Sequence, residues 1–138
     1  MYRVVIADDH AMARQGLRML LSGCPDFSIV GEAVDGNDAM DQSIMLKPEL
    51  VLTDLKMPGC SMIEGTRQLK RMYPDIKVII LTALDESEDI YKAKSAGVDG
   101  YLSKDTDPEV ILGTVRSVMS GRSVYTGFCG DTGLGGVF

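Results

Sequence analysis

Short runs of β-branched and aliphatic residues alternate along the chain with longer segments whose apolar positions recur every three or four residues. Val4-Val5-Ile6-Ala7, Leu50-Val51-Leu52-Thr53 and Val78-Ile79-Ile80-Leu81 show no apolar–polar alternation. Runs of this kind predict strands covered on both faces. Residues 27–34 read as another strand, and Gly100-Tyr101-Leu102 as a weak fifth. Helical spacing links Ala13, Leu17, Leu20 and Leu21, then Ala39, Met40 and Ile44 on the way to Lys47. Residues 63–73 and 90–96 follow as a third and a fourth helix, and Val110, Ile111, Val115, Val118 and Met119 form the apolar stripe of a fifth. The punctuation agrees. Ser22-Gly23-Cys24-Pro25-Asp26 breaks the first helix, Pro48 and Pro74 stop the next two, Gly97 closes the fourth, and Pro108 and Gly121 bracket the fifth. Five strands alternating with five helices imply a parallel sheet with helices on both faces and right-handed crossovers.

Beyond Gly121 the pattern fades. Five of the ten residues from 127 to 136 are glycine. The expectation is one domain over 1–121 and a glycine-rich tail over 122–138, outside the core. That tail is equally a linker remnant or the scar of a shortened gene.

Composition narrows the function. The chain has 138 residues, enough for a single core that buries roughly 70% of the unfolded surface. Fourteen Lys and Arg against twenty Asp and Glu give a net charge of −6. With no basic tail, binding of nucleic acid by this chain alone is not expected. The longest apolar runs fall far short of a membrane span. The apolar stretch after Met1-Tyr2-Arg3 ends at Asp8, so no secretory leader is expected. Three cysteines and one histidine argue against a disulfide scaffold and a zinc site. The expected location is the cytoplasm.

Chemistry gathers at the strand ends. Strand one runs into Asp8-Asp9, strand three into Asp54, strand four into Thr82, and strand five into Ser103-Lys104. In an open parallel sheet the carboxyl ends of the strands line the ligand crevice. Neighbouring strands lie about 4.8 Å apart. If strands one and three are neighbours, three carboxylates crowd together and raise one another's pKa. A divalent cation relieves that repulsion, and an all-oxygen set suits Mg²⁺. Lys104 adds a fixed positive charge and Thr82 a hydroxyl donor. These are the parts of a phosphoryl-transfer site. No glycine-rich phosphate loop is present, which disfavours a nucleoside triphosphate site.

The segments Val-Val-Ile-Ala-Asp8-Asp9-His10, Leu-Val-Leu-Thr-Asp54-Leu-Lys-Met-Pro58-Gly59, Ile-Ile-Leu-Thr82-Ala83 and Gly-Tyr101-Leu-Ser-Lys104-Asp105 together resemble a bacterial response-regulator receiver domain. The Asp-Asp-His opening and Lys-Asp ending most resemble receivers of NarL/LuxR-type transcriptional regulators. The likeness spans about residues 2–121. It implies a flavodoxin-like sheet of strand order 2-1-3-4-5. It further implies that Asp54 accepts a phosphoryl group from a sensor histidine kinase. Asp9 and Asp54 would ligate Mg²⁺ directly, Asp8 through water, and the main-chain carbonyl of Lys56 would complete the protein ligands. Lys104 would pair with the phosphoryl oxygens. Thr82 would move to bond the acyl phosphate, and Tyr101 would be the aromatic switch, turning from exposed to buried. The face of helix four, strand five and helix five would meet the partner. A homodimer on phosphorylation, and DNA as partner of a longer parent protein, also follow from the likeness. His10 reads as a cap-region residue.

Two departures stand out. Asp105 occupies the place where many receivers carry a proline after a cis peptide. The family's DNA-binding module of some sixty residues has no counterpart in the residues after Gly121. The alternative function is a small Mg²⁺-dependent phosphohydrolase with an aspartate nucleophile. Such an enzyme needs a second acid for the leaving group and a substrate pocket, and the sequence shows neither.

Overall fold

The computed structural model describes residues 1–83 and 87–125. Strands β1 (Tyr2–Ala7), β2 (Phe27–Ala33), β3 (Leu50–Asp54), β4 (Lys77–Thr82), β5 (Gly100–Ser103) and β6 (Val124–Tyr125) alternate with α1 (Ala11–Ser22), α2 (Gly36–Leu46), α3 (Met62–Met72), α4 (Ser87–Ala96) and α5 (Pro108–Met119). All strand pairs are parallel, in the order β2-β1-β3-β4-β5-β6. The flavodoxin-like order expected for the first five strands is present.

The unalternating strands are buried on both sides, as their composition requires. Val51, Val78, Ile80 and Tyr101 face a core cluster shared with Ala39, Met40, Met62, Leu69 and Ala93, from α2, α3 and α4. Leu50, Leu52, Ile79, Leu81 and Leu102 face a second cluster with Leu21, Ile111, Val115 and Val118, from α1 and α5. Fully burying each such side chain is worth roughly 1.5–3 kcal/mol.

The structure departs from the sequence pattern in three places. Val110 is 50% exposed, because it lies one residue off the stripe made by Ile111, Val115 and Val118. Ile44 is also exposed, at the solvent side of α2. The third departure is the sixth strand. Val124 and Tyr125 are buried and pair with Gly100 and Tyr101, so the core does not end at Gly121. Gly121 has φ +108, Arg122 N–H bonds Ser117 O at 3.0 Å, and Gly121 N–H bonds Val118 O at 3.0 Å. This double bond pattern at a left-handed glycine caps α5 and turns the chain back to the sheet. The glycine-rich residues 126–138 lie outside the described residues.

β1 sits between β2 and β3, so the strand order reverses there and opens a crevice at their carboxyl ends. The loop after β3 borders it and is pinned to α2. Asp35 caps α2 by accepting from Asp38 N–H at 2.7 Å, and Gly36 N–H donates to Pro58 O at 2.8 Å. A Cβ on Gly36 would lie 1.9 Å from the Cys60 carbonyl oxygen. Backbone cannot yield there as a side chain could. Gly36→Ala should therefore lower unfolding stability by about 2–3 kcal/mol. A urea titration checks this, and an unchanged midpoint would show that the loop gives way.

Candidate functional site

The register of β1 on β3 places Ala7 beside Thr53, so the next residues, Asp8 and Asp54, emerge side by side at the crevice. β4 follows with Thr82, paired to Ser103 of β5, and Lys104 is the first residue beyond β5. Every residue singled out at a strand end thus arrives at one rim of the sheet.

Lys104 lies at the centre. Its ammonium is 2.7 Å from Asp8 Oδ2 and 3.2 Å from Asp54 Oδ2. Asp8 is 1% exposed and Asp54 5%, so neither charge is screened by bulk water. Burial pushes the Asp54 carboxyl above the usual carboxylate range. Lys104 offsets part of that rise and the charge of Asp8 adds to it. For Lys104, burial acts downward, but contacts with Asp8 and Asp54 outweigh it and hold the ammonium above its ordinary value. Lys104 N–H also donates to Thr82 O at 2.8 Å, which ties the base of this side chain to β4. The Lys104–Asp105 peptide is trans.

Asp8 has further partners. His10 N–H donates to Asp8 Oδ1 at 2.9 Å, a side-chain turn that leads into α1. Arg14 donates to the Asp8 main-chain oxygen at 2.7 Å. The ring of His10 caps nothing on α1. Its Nδ1 instead lies 3.1 Å from Asp9 Oδ1 and 3.3 Å from Asp8 Oδ1. Sequence reading left out both Arg14 and this side-chain position of His10. The signal for His10 was its place directly after the acid pair. Arg14, one helical turn further on, offered none.

Donor atoms of Asp8, Asp9, His10 and Asp54 all lie within 4.8 Å of one another. Three of the four are carboxylates, the hard oxygen donors that fit Mg²⁺. Lys56 is exposed in the loop two residues beyond Asp54. Thr82 is fully buried. Tyr101 is fully buried too. The reason is β6, whose Tyr125 lies directly opposite Tyr101 and closes the edge of β5. A cavity of about 320 Å³ opens beside Asp8 and Lys104, walled chiefly by Ala13, Leu17, Leu20, Pro108 and Ile111. Among the described residues no helix is long and apolar enough to cross a membrane.

Residues 4–116 match the family model described as the response regulator receiver domain. The chain is 40% identical over 123 residues to the response regulator protein VraR of Staphylococcus aureus, covering 89% of this chain and 59% of that protein. It is 36% identical to the transcriptional regulatory protein YxjL of Bacillus subtilis, covering 89% of this chain and 56% of that one. It thus spans less than two thirds of the length of these relatives. The signal receiver domain of the response regulator NarL from Mycobacterium tuberculosis superposes with a TM-score of 0.82 at 33% identity, covering 88% of this chain and 98% of that one. The chain belongs to the response regulator receiver domain family, the phosphorylation-controlled signalling domains of two-component systems.

Proposed function

We propose that Asp54 is the phosphoacceptor, that a sensor histidine kinase is the donor, and that Asp8, Asp9, Asp54 and the Lys56 carbonyl hold Mg²⁺. Receiver domains bind Mg²⁺ in an acidic pocket, partner with sensor histidine kinases, and signal without being conventional enzymes. The observation that carries the reading is the Lys104 ammonium set between two buried carboxylates, with an exposed acid beside them. Asp8 already accepts from Lys104 and His10, which suits an anchor. Asp54 stands at the end of its strand, with Lys104 placed to neutralise charge that arrives on it. Bound Mg²⁺ would supply the electrostatic stabilisation of a transferring phosphoryl group. Slow self-catalysed loss of the phosphoryl group belongs to the same reading.

The switch follows from the topology. Thr82 lies beside Asp54 in the sheet order and carries the hydroxyl donor nearest the β4 end. When it turns to a phosphoryl oxygen it leaves space beside β5, and Tyr101 shifts toward the site. The faces of α4, β5 and α5 change with it. The working location is the cytoplasm, with dimerisation following phosphorylation. The longer relatives support DNA as partner of a longer parent protein.

Acetyl phosphate with Mg²⁺ tests the reading. A receiver gains one phosphate per chain, whereas repeated turnover of phosphate esters would contradict it. Two variants sharpen the assignment. Asp9→Ala should weaken Mg²⁺ binding at least about tenfold, and more than Asp8→Ala, because an inner-sphere bond is lost. Equal losses in a calorimetric titration would overturn that asymmetry. Thr82→Ala should still accept phosphate within a few-fold, since metal ligands and acceptor remain. Its phosphorylation-dependent NMR shifts at Tyr101 should be much reduced, and a full wild-type response would remove Thr82 from the route.

A further inference from the structure

The two residues of β6 do more than finish a sheet. A two-residue edge strand contributes little ladder energy of its own. Val124 N–H donates to Asp99 O at 3.0 Å, and β6 is anchored chiefly by a side chain. The Tyr125 hydroxyl donates to Val98 O in the α4–β5 connection. The Lys94 ammonium of α4 stands 5.0 Å from the centre of the Tyr125 ring. Tyr125 also belongs to the same buried cluster as Tyr101, Val98 and Ala93. So β6 rests on α4, the α4–β5 connection and β5, the elements that the proposed switch sets in motion. The left-handed Gly121 behind it is a ready hinge.

The link to the site is short. Lys104 is the residue beyond β5, Ser103 pairs with Thr82, and Tyr101 pairs with Tyr125. A close-packed interior cannot let one ring move without its neighbour responding. If Tyr101 shifts toward Thr82, it withdraws from beside Tyr125 and removes packing that seats the strap.

We propose that Val124–Tyr125 is a releasable strap, seated on β5 in the resting state and loosened on phosphorylation, which passes the signal directly into the chain beyond residue 125. This rests on the switch reading of Thr82 and Tyr101. It makes the output an intramolecular event before any partner binds.

Hydrogen exchange of the Val124 amide in the 138-residue chain, followed by NMR with Mg²⁺ and with or without beryllofluoride, tests it. Saturation of the site is verified by shifts at the residues around Asp54. The expected result is an increase in Val124 exchange of about tenfold, while amides of β1 and β3 are unchanged. Unchanged Val124 protection at a saturated site overturns the strap. In that case Tyr101 shifts tell which reading failed. If they persist, only the strap is lost; if they are absent, the switch falls with it. Coupling is reciprocal, so loosening the strap must favour the activated state. Tyr125→Phe removes the bond to Val98 and should tighten beryllofluoride binding by about 5-fold. Lys94→Met should act in the same direction without altering β6 itself. Wild-type affinity in both variants overturns the proposal.

Discussion

Asp54→Asn takes up no phosphoryl group from acetyl phosphate in Mg²⁺, at least about a hundredfold below wild type, and remains folded. Acyl phosphate formation needs a carboxylate oxygen as nucleophile, and an amide does not supply one. The neighbouring acids do not replace it. Asp8 is engaged by Lys104 at 2.7 Å and by His10 N–H at 2.9 Å, and Asp9 is the exposed acid of the cluster. The same variant has a second signature. An acid whose pKa is raised by folding binds more protons in the folded than in the unfolded state. Stability then falls as pH rises from the unfolded value of 3.8 through the raised folded value. Asn carries no such penalty. Metal-free Asp54→Asn should therefore melt a few degrees above wild type at neutral pH, and the gap should close below pH 3.8. Labelling of comparable stoichiometry in the variant would sink the acceptor assignment. A variant less stable at neutral pH would show that the Lys104 contact outweighs burial.

Much of this site was legible because it is written in strand ends. A β-branched run with no alternation fixes a strand, and its last residue fixes which side chain reaches the rim. Asp8, Asp54, Thr82 and Lys104 needed no more than that, plus the rule that parallel strands share a carboxyl edge. Residues placed by helices were harder to read. Arg14 reaches the Asp8 carbonyl only because α1 starts at Ala11 and brings it round one turn later. The sixth strand was hidden for a different reason. Val124 and Tyr125 are too short a run to show any period, and they follow a glycine that correctly marks a helix end. Nothing local says that the chain turns back. That information lies in the geometry of the Gly121 cap and in the open edge of β5 waiting beside it.

Lys104→Met should produce the largest loss of stability among substitutions at the site, about 2–3 kcal/mol for the metal-free protein at neutral pH. Removing one partner of a fully buried ion pair costs roughly 3–5 kcal/mol. The lower figure applies because Lys104 is 22% exposed and because Asp54, whose carboxyl is already raised by burial, can take up a proton. What remains is Asp8 and Asp54, both buried, facing each other without a cation. In wild type the raised Lys104 pKa contributes stability below the unfolded value of 10.5 and loses it as pH rises through the folded value. Across the acid and neutral range that contribution is constant. The variant behaves differently. Its Asp54 carboxyl, raised by burial and no longer offset by Lys104, binds a proton more readily than in the unfolded chain, so its stability recovers as pH falls toward the carboxylate range. The gap between variant and wild type should narrow accordingly. Mg²⁺ should narrow it at neutral pH, since a divalent ion among the same oxygens replaces the missing charge and so stabilises the variant by more than it stabilises wild type. For the same reason Mg²⁺ should bind the variant more tightly than wild type. Urea titrations at two pH values, each with and without Mg²⁺, test all of this together. If Lys104→Met matches wild type without metal, or if Mg²⁺ fails to narrow the gap, the lysine is not the charge that holds the two acids side by side.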